Sequence, residues 1–323
     1  MQSPSNNEVS ANRSRPRALT LWVGGTLLII AVGYVLRTFH WSELVDVLGE
    51  MDVLLFLGAG GATIIVYWLL RTTRWLLLIS VASVRVSFKE LYLSTAISLG
   101  FAIVTPLQSG EAGKVEWLIR SGKLDRSAGY SAYALERLLD LVVVCTLALI
   151  GLGGRAWSTS VVPLLLAGVG VIAVGLIVVT RTVRFQNRFA DFIAGFGRLA
   201  TDSVMLVKAV SLTIASWLVV AVGWHVCLAS LSIELNAGDS ITLVSLITIA
   251  NILSFVPGAW GISEIGIAQF LGAVGHEPLA AQAGALILRG YGLLTLVIAT
   301  LHLLAASALP ALGARRTNRA DER

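Results

Sequence analysis

The chain has 323 residues, of which 56% are hydrophobic and only 13% charged, and its mean hydropathy is +0.82. Such a composition excludes an ordinary soluble domain and points to an integral membrane protein. The formal net charge of +5 is modest, and the position of the basic residues, below, accounts for it by membrane topology without a nucleic-acid partner.

Lipid offers the backbone no hydrogen-bond partner, so a crossing segment is a helix of about 20 mostly apolar residues. Taken in chain order, apolar runs predict full spans at roughly 18–36, 52–70, 128–152, 161–180, 209–231 and 279–309. The first follows Arg13, Arg15 and Arg17. Its apolar run is too long for a signal peptide and no small-residue cleavage site follows, so it reads as a retained anchor. Residues 1–17 read as a polar cytoplasmic N-terminus and 310–323 as a cytoplasmic tail, with 1–12 and 312–323 disordered.

Two further apolar stretches, 90–119 and 240–274, are each interrupted by Pro and Gly. The first reads LYLSTAISLGFAIV, then TPLQSGEAGK, then VEWLI; the second reads ITLVSLITIANILSFV, then PGAWGISE, then IGIAQFLGAV. Each half is too short to cross, which predicts a re-entrant helical hairpin.

Basic residues collect in cytoplasmic loops. Three precede the first span, four lie in 71–89, three in 120–126, five in 181–208 and four after 311, placing nineteen of 24 on one side against Arg37 and Arg155. Lys114, Arg137 and Arg289 remain within or beside membrane segments. The first hairpin therefore opens inward and the second, flanked by Glu234, Asp239 and Glu277, opens outward. The expected fold is all-α and polytopic, with about six full spans plus two hairpins, divided into inverted repeats at 18–153 and 161–309. That is an architecture of secondary transporters. Both termini are expected in the cytoplasm and the protein in the cell (plasma or inner) membrane.

The halves share chemistry at matching places. Pro106, Gly110 and Glu111 form the first break, and Arg137 lies 26 residues beyond Glu111. Pro257, Gly258, Gly261 and Glu264 form the second, and Arg289 lies 25 residues beyond Glu264. Half-helix N-termini carry unpaired N–H groups suited to an anion, glycine permits close backbone approach, and guanidinium matches phosphate. An arginine at the start of a span can also be an interfacial anchor, and a glutamate at a break can be an N-cap. Glu136, Arg137 and Asp140 read as a self-neutralising structural cluster as readily as substrate ligands.

TPLQSGEAGK with YALERLLDL, and SFVPGAWGISEIG with ALILRGYGLL, resemble the two signature regions of the lysylphosphatidylglycerol synthase transmembrane-region family, the flippase-like membrane domain. The resemblance runs from about 20 to 310 and implies movement of lipids or lipid-linked molecules between leaflets. It marks Pro106, Gly110, Glu111, Lys114, Glu136, Arg137, Asp140, Pro257, Gly258, Gly261, Glu264 and Arg289 as signature positions. Gln108 and Ser263 depart from the family pattern, where a basic residue is common, and Lys114 replaces a more usual arginine. Relatives carry a soluble aminoacyl-transfer domain that these residues do not include, so only the flippase-like part is expected.

Other chemistry is sparse. GEAGKV lacks the spacing and the Ser or Thr of a phosphate loop. Cys145 and Cys227 fall in spans and read as packing. His40, His225, His276 and His302 have no metal-ligand spacing, and no cofactor is expected. Segment 181–208 is basic, with Phe185, Phe189, Phe192 and Phe196 at helical spacing, and reads as a surface helix on the anionic inner leaflet. The expected partners are membrane lipids with anionic or lipid-linked headgroups, and a membrane-protein partner or second copy is open. The alternatives to a transporter are an integral-membrane enzyme acting on a lipid phosphate, for which Glu43, Asp46, Glu50 and Asp52 are the loop carboxylates, or an accessory subunit.

Overall fold

The computed structural model describes residues 25–80, 86–152, 190–254 and 256–321. Among these there are eleven helices and no strand. They are α1 (Gly25–Thr38), α2 (Trp41–Gly49), α3 (Val53–Ser80), α4 (Phe88–Ala102), α5 (Gly113–Arg120), α6 (Arg126–Leu152), α7 (Ala190–Thr201), α8 (Ser203–Ala229), α9 (Ala237–Leu253), α10 (Ile262–Ala273) and α11 (Pro278–Asp321).

Three are long and apolar enough to cross a bilayer: α3 with 28 residues, α8 with 27 and the Pro278–Ser307 part of α11 with 30. With the charge-poor composition, they make this a multi-pass helical membrane protein. The span expected at 161–180 lies outside the described residues, as do Arg155, Phe185 and Phe189. The run expected at 52–70 continues helical to Ser80, because Trp75–Ile79 prolong the apolar face beyond Arg71 and Arg74. The first helix does not simply end after 36; α1 bends by 79° into α2. The final helix continues through 312–321, where polar composition suggested disorder.

Local chemistry sets the helix starts. The Asp52 carboxylate accepts from the Leu55 N–H at 2.9 Å, Asp202 from Met205 at 3.0 Å and the Asn236 amide oxygen from Asp239 at 2.8 Å, each satisfying an orphan donor of the first turn. Ser87 does the same for Glu90 at the head of α4.

Both interrupted stretches are helix–break–helix units. In the first, α4 ends and Thr105 turns extended before Pro106, as a residue preceding proline does. A 3-10 turn over Pro106–Ala112 then leads into α5, with Leu107 and Gln108 both at φ 53. Thr105 Oγ1 accepts from the Gly110 N–H at 2.8 Å, and a Cβ on Gly110 would lie 3.0 Å from the Ala102 and Phe101 backbone. In the second, Val256 is extended before Pro257, and Gly258 (φ 61) and Gly261 (φ 82) supply left-handed turns into α10.

The two breaks touch. The Leu107 N–H donates to the Ser254 carbonyl at 3.0 Å, and a Cβ on Gly258 would lie 2.3 Å from the Ile103 carbonyl oxygen. Apolar clusters surround this meeting point: Ile64, Trp68, Leu271 and Leu288 on one side, Trp75, Leu91, Leu118 and Leu135 on another, Val144, Trp217 and Val244 on a third. Gly100 lets α4 cross α11 at contact distance, since a Cβ there would lie 2.1 Å from that of Ala299. Gly100→Val is expected to cost about 1–3 kcal/mol by overpacking and to lower the unfolding temperature in detergent; an unchanged temperature would mean that α4 and α11 do not cross there.

Candidate functional site between the two breaks

A cavity of about 180 Å³ lies where the breaks meet. Gln108, Glu111 and Arg137 line it from the first unit and the helix that follows, and Gly258, Ser263 and Arg289 from the second. Each unit thus contributes a turn and the arginine of the next long helix.

Arg137 stands on α6, 25% exposed, and its Nη1 lies 2.6 Å from Glu111 Oε2. Its Nη2 lies 2.5 Å from Asp140 Oδ2. Behind it the pair widens into a cluster of seven ionisable side chains. Arg71 Nη1 donates to both Asp140 oxygens at 2.6 and 2.7 Å, and its Nη2 to Glu111. Arg74 reaches Asp140 at 2.7 Å and Glu136 at 2.8 Å. Lys114 reaches Glu136 at 2.6 Å and Glu111 at 3.1 Å. Neutral groups from α8 join: Arg74 Nη1 donates to Thr213 Oγ1 at 2.6 Å, and Trp217 Nε1 to Asp140 Oδ1 at 3.3 Å. Lys114 also sits 4.7 Å from the Trp75 ring centroid, a favourable place for a buried ammonium. Four cations face three carboxylates, leaving one positive charge over.

The second site is smaller. Arg289, 12% exposed, pairs with Glu264 through Nε and donates from Nη2 to Ser263 Oγ. Its Nη1 donates to the Gly258 carbonyl at 3.1 Å, and its Cζ lies 4.5 Å from the Trp260 ring centroid. Glu264 Oε2 also accepts from the Gly261 N–H at 2.8 Å and from Ser263 Oγ at 3.0 Å. It thus satisfies the N-cap N–H of α10 and pairs with Arg289 at once. Glu111, by contrast, caps nothing and is bound wholly by cations.

Of the sequence-derived residues, Glu111, Arg137, Arg289 and Gly258 therefore lie on the cavity wall. Lys114, Glu136 and Asp140 lie behind it at 0% exposure, and Glu264 lies behind Ser263 and Arg289. Pro106, Gly110, Pro257 and Gly261 shape the turns without lining the cavity. Each arginine is held by a carboxylate of its own unit.

Arg71 and Arg74 are corrections. Counted with the cytoplasmic loop at 71–89, they are 1% and 0% exposed and form the centre of the ionic cluster. They stand at i and i+3 on α3, so both point to one face, and the apolar residues after them were the signal that the helix goes on. Aromatic cavity-lining residues, among them Tyr67, Trp68 and Trp217, were not legible either. Among the described residues no group of three His, Cys, Asp or Glu side chains is arranged to hold a metal ion.

The comparisons with known proteins bear on the family of the chain. A family model described as "Lysylphosphatidylglycerol synthase TM region" matches residues 21–300. A curated relative, Glycosyltransferase AglD of Haloferax volcanii, is 24% identical over 323 residues, which takes in 84% of this chain and 52% of that protein. The chain thus spans about half the length of that relative. No solved structure matches.

Asp140 accepts from three cations and an indole, so removing its charge leaves buried guanidinium groups uncompensated. Asp140→Asn is expected to destabilise the fold by about 3–5 kcal/mol, seen as loss of monodisperse protein in detergent size exclusion. A normal elution profile and unfolding temperature would show that the cluster is not a structural unit.

Proposed function

The chain belongs to the lysylphosphatidylglycerol synthase transmembrane-region family, and from that premise we propose that it moves a phospholipid or lipid-linked intermediate between the leaflets of the cell membrane. The observation that carries the proposal is one cavity walled by an arginine from each helix–break–helix unit, Arg137 and Arg289. In this reading the two units are re-entrant hairpins of opposite orientation, 18–153 and 161–309 are inverted repeats, and the termini are cytoplasmic. Withdrawing Arg71 and Arg74 from the nineteen inward basic residues leaves seventeen against two, so the orientation argument stands.

A headgroup phosphate entering the cavity takes the place of Glu111 on Arg137 or of Glu264 on Arg289. On Arg137 the exchange leaves no carboxylate without a cation; on Arg289 it leaves Glu264 with the Gly261 N–H and the Ser263 hydroxyl alone, so Arg137 is the better compensated of the two. Glu111 keeps Arg71 and Lys114 as partners when Arg137 turns away. The acyl chains remain in lipid while the headgroup passes between the breaks.

Transport is favoured over catalysis on a lipid phosphate. Glu111, Glu136, Asp140 and Glu264 are all paired with cations, which leaves none of them free as a general base. Glu43, Asp46, Glu50 and Asp52 are exposed and do not line the cavity. The relative named as a glycosyltransferase is matched over only about half its length, so its transferase reaction is not carried over to this chain.

The test is leaflet exchange of labelled lipids in proteoliposomes. Removing one charge-assisted bond costs about 1.5–3 kcal/mol, so Arg289→Gln combined with Glu264→Gln, a change that leaves no lone buried charge, is expected to slow exchange about 10–100-fold. Wild-type exchange by this double variant at normal folded abundance would remove the assignment.

A further inference from the structure

Five aromatic side chains, Tyr67, Trp68, Trp217, Trp224 and Tyr291, line the cavity. An aromatic wall suits three kinds of ligand: an acyl chain, an amine or quaternary ammonium, and the apolar face of a sugar or polyol ring. Charge argues against the amine. Arg71, Arg137 and Arg289 line the wall with a single carboxylate, Glu111, and the Tyr67 ring already carries the Arg71 guanidinium at 5.7 Å.

Unpaired polar atoms argue against the acyl chain. Trp68 Nε1, Arg71 Nε, Arg137 Nε and Asn251 Oδ1 are buried and have no hydrogen-bond partner among the described residues, and all four residues line this cavity. Trp68 and Arg71 are 0% and 1% exposed. Arg74 Nε, Trp75 Nε1, Thr95 Oγ1 and Ser127 Oγ are unpaired as well and belong to residues away from the cavity. Buried polar groups normally find a partner, and the four on lining residues are the ones nearest to a ligand held there. Three of these atoms donate and one accepts. A hydroxyl does both, so a ring bearing several hydroxyls satisfies a mixed set that neither a hydrocarbon nor a bare phosphate can.

We infer that the cargo headgroup is a single sugar or polyol ring joined to its lipid through a phosphate. This inference rests on the transport reading. The phosphate lies between Arg137 and Arg289, the apolar face of the ring lies on the aromatic wall, and ring hydroxyls meet Asn251, Trp68 and the guanidinium edges. A volume of about 180 Å³ is below the roughly 300–1,000 Å³ of a drug-sized pocket, which fits one ring and not an oligosaccharide.

The experiment compares three lipids with identical tails in proteoliposomes: phosphatidylinositol, phosphatidic acid and phosphatidylcholine. Phosphatidylinositol is expected to exchange at least about tenfold faster than the other two, since a site built to hydrogen-bond hydroxyls discriminates against analogues lacking them. Asn251→Leu and Trp224→Leu are expected to bring its rate down to that of phosphatidic acid. Equal rates for the three lipids, a faster rate for phosphatidylcholine, or unchanged preference in both variants would overturn the inference and leave transport standing. No exchange of any lipid by folded protein would remove both the inference and the transport reading.

Discussion

The cluster of Arg71, Arg74, Lys114 and Arg137 with Glu111, Glu136 and Asp140 can persist away from water only as a set. Each ion held out of water costs several kcal/mol, recovered only if every charge has a close, hydrogen-bonded opposite. Here each carboxylate has at least two cationic partners, and the residues come from α3, the first break, α5 and α6. Satisfying the charges therefore fixes where those elements lie. The first break is held not by its own hydrogen bonds alone but by Glu111, the point where the break enters the network.

The second break is built more lightly. Glu264 caps α10 and holds Arg289, Ser263 and the Gly258 carbonyl complete that arginine's bonds, and no further charge among the described residues takes part. The two halves thus present the same pair, a carboxylate at a break and an arginine one helix later, on supports of unequal strength. Glycine makes their meeting possible. Gly258 lies against the Ile103 carbonyl, Gly110 against the Phe101–Ala102 backbone and Gly261 against Ala31, approaches that leave no room for a side chain. An aromatic wall and two arginines then enclose a cavity whose polar groups are not all used by the protein.

Much of this was legible in the sequence for simple reasons. Proline removes a donor and restrains its predecessor, so Pro106 and Pro257 marked both breaks, and the similar Glu-to-Arg spacings marked the residues that form the pairs Glu111–Arg137 and Glu264–Arg289 without deciding that they pair. Arg71 and Arg74 were misplaced because a count of basic residues treats every arginine near a span end as a topological signal. In LLRTTRWLLLIS the apolar run resumes after them, and that resumption outweighs the count. Tyr67, Trp68, Trp217, Trp224 and Tyr291 come from three helices far apart in the chain, so no period in the sequence collects them. Partners of Glu136 and Asp140 were hidden for the same reason: the cluster was expected around Arg137, whereas Arg74, Arg71 and Lys114 supply most of its bonds.

The central claim is that the two breaks enclose the headgroup path and part when it is used. The Leu107 N–H and Ser254 carbonyl are 3.0 Å apart, so the two backbones touch and cysteines at these positions are the pair to test for a crosslink. The most direct measurement is leaflet exchange by the Leu107→Cys, Ser254→Cys protein, with Cys145 and Cys227 replaced, before and after reduction. Exchange halted in the crosslinked protein and restored by reductant is the predicted result. Undiminished exchange, with the crosslink verified by mass spectrometry, would contradict the claim that headgroups pass between the breaks.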